Sequence, residues 1–268
     1  MTNSYIENCI ELFHTEMKRR EYADETIKNY TYCFQTFLNA FESKNSIEEI
    51  SISEMENFIH SYPNANTQLT FYSSLKIYYT AILKNKQMFK IIARPRRTPI
   101  EKLFYDKEEI IHKLSMIRNT KHKAILMLAF STGMKTYEIL NLRIEDIDKK
   151  KMIIRIRNTK DEVVRDSPLS KVMLNLLNKY IKLYTPTKYL FNGQNNVKYS
   201  SKSCECLVKK WIGKGCSMSI LRNSTAVALY KGDTELELIQ KQLGLKSLKE
   251  TKRYVKYLVP KGKIVLPI

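Results

Sequence analysis

The sequence predicts a mainly α-helical protein with one small β-hairpin, organised as two domains. Three observations carry that prediction. Apolar residues recur at spacings of three and four along most of the 268 residues. Alternation of apolar and polar residues is confined to a short stretch around residues 151–168. A basic segment with two prolines, FKIIARPRRTPIEKLFY at 89–105, separates two runs of helical pattern.

The first run, 1–88, reads as a small all-helical domain. Ile6, Ile10, Phe13 and Met17 form one stripe over 4–20. After a break at 19–24, Thr26 caps or opens a second helix carrying Ile27, Tyr30, Phe34, Phe37 and Leu38. SIEEI from Ser46 and SEMENF from Ser53 read as short capped helices, with Ser53 and Glu56 at capping-box spacing. Asn66 to Met88 reads as a fourth helix, rich in Leu and Tyr.

In the second run, Asp106 opens a helix toward Ile117, and Lys121 to Ser131 is an apolar helix ended by Gly133. A helix from Thr136 to Leu142 follows. KMIIRIR from Lys151 and EVVRDSP from Glu162 flank Asn158 to Asp161 as a β-hairpin. Helical pattern returns at Ser170–Tyr184, Ser201–Ile212, Ile220–Tyr230, Glu235–Leu243 and Lys249–Tyr257. The tail 259–268, with two prolines, is too short for a domain and reads as a strand that docks on its own body or on a neighbour.

Charge narrows the function. There are 46 Lys and Arg against 27 Asp and Glu, a net +19. Residues 1–88 carry −3 and residues 89–268 carry +22. A field so concentrated suits a polyanion, nucleic acid above all; a merely soluble lysine-rich face is the alternative. Arg94, Arg96 and Arg97 in the basic segment are candidate phosphate contacts, against the alternative of a solvated connector. No 18-residue apolar run and no signal peptide is present, so a cytoplasmic protein without a membrane partner is expected. The five cysteines (9, 33, 204, 206 and 216) lack zinc-site spacing and are expected as reduced thiols.

Four segments then carry a resemblance. They are STGMKTYEILNLRIEDI at 131–147, the hairpin around Lys160 ending in Ser167-Pro168-Leu169, SILRNSTA at 219–226, and LGLKSLKETKRY at 243–254. In this order they resemble the catalytic domain of the tyrosine recombinases, or phage integrases. REYADETIKNY at 20–30 resembles that family's helical DNA-clamping domain. The resemblance covers about residues 4–258. It implies a two-domain clamp: a SAM-like DNA-clamping domain at 1–88, a linker at 89–105, a catalytic domain at 106–258 and a tail at 259–268.

The resemblance also implies a metal-free, cofactor-free reaction in which a tyrosine attacks a phosphodiester and forms a 3′-phosphotyrosyl intermediate. The nucleophile falls on Tyr254, the second arginine on Arg222 and the hairpin lysine on Lys160. Lys135 stands at the first arginine position, Ser219 at the first histidine and Leu245 at the second histidine or tryptophan. Lys252 and Arg253, beside Tyr254, are expected at DNA. Three of six positions are thus changed, which implies a slow enzyme. Site-specific recombination and single-strand nicking for plasmid or mobile-element transfer, as a conjugative relaxase does, both fit. A catalytically silent DNA-binding regulator and a basic scaffold without nucleic acid are the competing readings. A homo-oligomer or an accessory protein on DNA is compatible with all but the scaffold.

Overall fold

A computed structural model describes residues 1–96, 103–194 and 197–256. Arg97, Tyr257 and the tail at 259–268 lie outside the described residues. The chain divides into two units, Met1–Ile100 and Glu101–Ile268.

In the first unit, α1 (Asn3–Arg19) is capped by Thr2, whose hydroxyl accepts the Tyr5 N–H at 3.2 Å. Its stripe buries Ile6, Cys9, Phe13 and Met17. Helix α2 (Asp24–Ala40) begins two residues before Thr26, after Ala23, with no side-chain cap. Asp24 and Glu25 in the first turn instead place negative charge at the positive helix end. SIEEI forms only a single 3-10 turn, Ile47–Glu49, and Ser46 makes no cap bond. Helix α3 (Ile52–His60) uses Ser51 and Glu54, not Ser53 and Glu56, as its capping box. Both pairs have the same spacing. The earlier start adds Ile52 to the apolar face of Met55 and Ile59, all three packed in one core.

The expected helix 66–88 is broken. Helix α4 (Ala65–Ile77) runs into a π turn, Tyr78–Ile82, and a separate short helix α5 (Met88–Ile91) follows. The wider π turn accompanies burial of both Tyr78 and Tyr79, neighbours that an α-helix would splay by 100°. Lys84, at φ +58°, ends the run. Phe89 and Ile92, which the sequence assigned to the linker, are buried in this unit's core. The Ala93 N–H donates to the Glu56 carboxylate at 3.1 Å, tying the segment to α3. Arg94 and Arg96 are exposed beyond it.

The second unit begins with α6 (Lys107–Ser115), α7 (Thr120–Thr132) and α8 (Thr136–Asn141). A three-stranded antiparallel sheet follows, in the order β1 (Ile147–Asp148), β2 (Ile153–Arg157), β3 (Val163–Pro168). The two-residue β1 is absent from the sequence expectation because it is too short to show a period. Helices α9 (Lys171–Tyr184), α10 (Ser201–Trp211), α11 (Met218–Lys231), α12 (Leu236–Leu243) and α13 (Leu248–Val255) complete the unit. Its core gathers Ile125, Leu126 and Leu128 of α7, Ile154 and Ile156 of β2, Leu177 of α9 and Leu221 of α11. A smaller cluster of Ala226, Ile239 and Leu243 joins α11 to α12. No described helix is long and apolar enough to cross a membrane. All five cysteines are free thiols, and only Cys206 is exposed.

Candidate active site

Helix α7 ends at Gly133 in a left-handed conformation, φ +64°. A Cβ there would strain the left-handed backbone and press on Leu243 Cδ2, so glycine suits the close approach of α7 to the end of α12. That approach brings two backbone carbonyls, of Gly133 and Leu243, to one guanidinium. Arg222 on α11 is 5% exposed and donates through Nη1 to Gly133 and through Nη2 to Leu243, the latter at 2.7 Å. Its Nε donates to the phenolic oxygen of Tyr254 on α13 at 3.3 Å, and the guanidinium lies 5.9 Å from the Tyr254 ring centre. Three of the five N–H donors of an arginine are thereby used. The structure joins Arg222 and Tyr254 directly.

The other expected residues are placed differently. Lys135 is exposed at the start of α8, its ammonium 5.7 Å from the centre of the Tyr137 ring. Burial and the neighbouring Glu138 charge push the Tyr137 hydroxyl up, so it stays protonated. Lys160 is exposed in the turn between β2 and β3. Ser219 is exposed, its hydroxyl paired with that of Ser217 at 2.9 Å. Leu245 packs against the apolar cluster of Ala226, Ile239 and Leu243 and offers no donor. Lys252 and Arg253 are exposed on α13 beside Tyr254.

A second buried ionic group escaped sequence reasoning. Glu138, 1% exposed, takes Nη1 and Nη2 of Arg165 at 2.7 and 2.8 Å. It also accepts the Lys135 N–H at 2.8 Å. Burial alone would raise the Glu138 carboxyl, but the Arg165 bonds and charge outweigh it and hold the group below its ordinary range. Arg165 Nε donates to the carbonyl of Gln242 at 3.1 Å, and the Gln242 amide reaches Ser167 at 2.8 Å and the Thr132 carbonyl at 3.2 Å. Gly244, φ +59°, leaves room for this arginine; a Cβ would meet Arg165 Nη1 at 2.8 Å. The only sequence signal was a lone Glu inside the apolar run TYEIL.

Lys135, Glu138, Asn158, Arg165 and Leu245 line one open cleft of about 1190 Å³. Among the described residues no group of three or more His, Cys, Asp or Glu side chains could hold a metal. What the site offers chemically is a buried guanidinium bonded to a phenol.

Residues 105–259 match the phage integrase family, and residues 10–88 match the N-terminal SAM-like domain of phage integrases. The chain is 26% identical over 260 residues to the tyrosine recombinase XerA of Pyrococcus horikoshii, covering 93% of this chain and 89% of that one. It is 30% identical over 186 residues to XerA of Saccharolobus solfataricus, covering 68% and 62%. Among solved structures, a lambda integrase dimer bound to a COC′ core site matches with TM-score 0.75 at 14% identity, covering 97% of this chain and 80% of that one. The site-specific recombinase XerH bound to its palindromic difH substrate in a post-cleavage complex matches with TM-score 0.73 at 19% identity, covering 90% and 79%. The fold and the family match over more than half its length make this chain a member of the phage integrase family, the tyrosine recombinases.

Proposed function

We propose that this protein breaks and rejoins duplex DNA at a defined site, with Tyr254 as the nucleophile. The observation that carries the reading is the 3.3 Å hydrogen bond from Arg222 Nε to the Tyr254 oxygen. In the step proposed, the Tyr254 oxygen bonds to phosphorus and the bond from phosphorus to the 5′ oxygen breaks. The phenolic proton passes to solvent, and the departing 5′ oxygen takes a proton from the Lys160 ammonium. The phosphotyrosyl linkage keeps the bond energy for rejoining. Arg222, preorganised by two backbone carbonyls, meets charge on the non-bridging oxygens with its remaining N–H groups. The first unit, with Phe89 and Ile92 in its core, serves as the DNA-clamping domain, the basic segment that follows, up to residue 105, as a linker, and 106–258 as the catalytic domain. Arg94, Arg96, Arg97, Lys252 and Arg253 contact phosphates, which fix register without reading sequence.

Lys135, Ser219 and Leu245 make the enzyme slow. Losing one well-placed donor typically costs about 10²–10³ in rate. Such a catalyst suits a single nick, as in starting plasmid transfer, at least as well as full recombination of two duplexes, which needs several active copies. A silent DNA-binding role is the second reading, favoured by Leu245, which packs into an apolar cluster where the family has a donor.

The test is a nicked suicide duplex carrying the protein's own site, selected from a randomised duplex pool by binding. A covalent protein–DNA species on a denaturing gel, lost in Tyr254→Phe, supports the enzyme. Tight site-specific binding without any adduct supports the silent binder.

A further inference from the structure

The five-residue loop 158–162 that carries Lys160 is pinned from several sides. Asn158 Oδ1 accepts the N–H groups of Lys160 at 2.8 Å and Glu162 at 3.0 Å, and its Nδ2 donates to the Glu162 carboxylate at 2.8 Å. Asp161 sits at φ +68°, a left-handed conformation that Asp tolerates better than most residues. Its carboxylate is paired with the Arg143 guanidinium, and its carbonyl accepts Arg157 Nη1 at 3.1 Å. Both arginines trace back to one anchor, the fully buried Asp146. Its Oδ1 takes Arg157 Nε at 2.8 Å and its Oδ2 takes the Arg143 N–H at 2.9 Å. Arg143 lies just past the end of α8, the helix that Lys135 opens. The Arg143 Nε is buried without a hydrogen-bond partner, so its guanidinium relies on carboxylates at its other nitrogens, Asp161 and Glu145.

This arrangement addresses two requirements of a proton donor. A lysine on a four-carbon stem at a hairpin tip samples many positions, whereas proton transfer demands approach to about 3 Å. A carboxylate next in sequence would ordinarily neutralise that lysine. Here the Asp161 carboxylate is committed to Arg143, and among the described residues the Lys160 ammonium has no ion pair. We propose that Asp161 and Arg143 are positioning residues for Lys160: their ion pair holds the left-handed turn at Asp161, fixes the direction in which Lys160 leaves it, and keeps its ammonium uncommitted. The inference rests on the strand-cleavage reading above.

The experiment compares two suicide duplexes of the selected site. One has the ordinary 5′ oxygen at the scissile phosphate. The other has sulfur there, which leaves as a thiolate and needs no proton because thiols are far more acidic than alcohols. Adduct formation under single-turnover conditions is measured for the full-length unchanged protein, Lys160→Ala, Asp161→Asn and Arg143→Gln. The Asp161 side chain is 51% exposed, so Asp161→Asn keeps the fold even if Arg143→Gln does not. On the oxygen substrate Lys160→Ala slows by about 100-fold or more, the usual contribution of a general acid. Asp161→Asn slows by at least about 10-fold, part of that same contribution. On the sulfur substrate both return to within about threefold of the unchanged protein, a small difference in barrier. Equal slowing of Asp161→Asn on both substrates, or full rate on the oxygen substrate, overturns the positioning role and leaves the cleavage reading standing. Full rate for Lys160→Ala on the oxygen substrate overturns the proton-donor role and the inference with it. No adduct from either substrate with the unchanged protein overturns the cleavage reading itself.

Discussion

Arg222 and Tyr254, 32 positions apart, meet through a hydrogen bond from Nε to the phenolic oxygen at 3.3 Å. Tyr254→Phe removes that oxygen alone. Packing and charge hardly change, so DNA affinity should stay within about a factor of three, the scatter of a ~0.5 kcal/mol surface change. Covalent adducts should vanish. Tyr257→Phe should leave adducts intact. Adducts that persist in Tyr254→Phe and vanish in Tyr257→Phe would move the nucleophile three positions along the sequence.

Arg222 has a structural role beside the chemical one proposed for it. Arg222→Ala strips the donor from the Gly133 and Leu243 carbonyls, buried groups whose abandonment costs about 1–3 kcal/mol each. The variant should therefore lose both adduct formation and several degrees of melting temperature. Arg222→Lys retains charge and one or two of the bonds, and should recover part of the stability but little of the rate. A variant as stable as the unchanged protein would mean that the two carbonyl bonds contribute nothing net.

The helical architecture was legible wherever one stripe met one core. Ile6, Phe13 and Met17 of the expected stripe became the buried face of α1, joined by Cys9 while Ile10 is half-buried, and Gly133 ended α7 as its position predicted. Illegible features were those decided by tertiary contact. Ser51 and Ser53 offer identical caps, and only the packing of Ile52 separates them. The π turn at Tyr78 is a response to burying adjacent tyrosines. The Glu138–Arg165 pair joins α8 to β3 across 27 positions and leaves no spacing signal. For the site, motif register assigned Arg222 and Tyr254 to one expected site, and the hydrogen bond between them is a finding of the structure. It gave no hint that Leu245 would pack as core or that Ser219 would pair with Ser217.

Salt should weaken DNA binding steeply. The logarithm of affinity falls with the logarithm of salt by roughly 0.9 for each phosphate neutralised. Exposed Arg94 and Arg96, and Lys252 and Arg253 on α13, are the contacts proposed above. Changing each pair to Gln in the full-length protein should reduce the slope by about 1–2, with affinity lost evenly across sequences. An unchanged slope would remove these residues from the interface.

Glu138 gives a pH dependence of known sign. Its folded carboxyl titrates below its ordinary value of 4.5 because Arg165 outweighs the opposing effect of burial. A depressed folded pKa means stabilisation that is complete above the unfolded value and is lost as pH falls through the folded one. Melting temperature should therefore decline below about pH 4.5, the ordinary carboxyl value. In Glu138→Gln that share of the decline should be absent. At neutral pH the same variant leaves Arg165 buried without its partner, a loss of about 3–5 kcal/mol. Acid sensitivity identical to that of the unchanged protein would show that other carboxylates govern the transition.

Lys135→Arg tests whether the altered site is a handicap. The backbone at Lys135 is already held, since Glu138 accepts its N–H at 2.8 Å while bound to Arg165. The side chain is exposed on the rim of the cleft, so a larger planar head can be accommodated without repacking a core. Lysine presents a point charge; arginine presents a fork that can take two phosphate oxygens at once. If the cleft faces the scissile phosphate, the substitution should raise single-turnover cleavage by up to about 10²-fold, the lower value of one oxyanion donor. DNA affinity should barely move, because net charge is conserved. The nearby Tyr137 ring introduces a competitor, since arginine stacks on aromatic faces more readily than lysine does. The double variant Lys135→Arg with Tyr137→Ser removes that trap, and should be faster than Lys135→Arg alone if stacking diverts the guanidinium. A fall in rate in both variants would mean that the cleft has been rebuilt around lysine, and that its ammonium is already where the chemistry needs it.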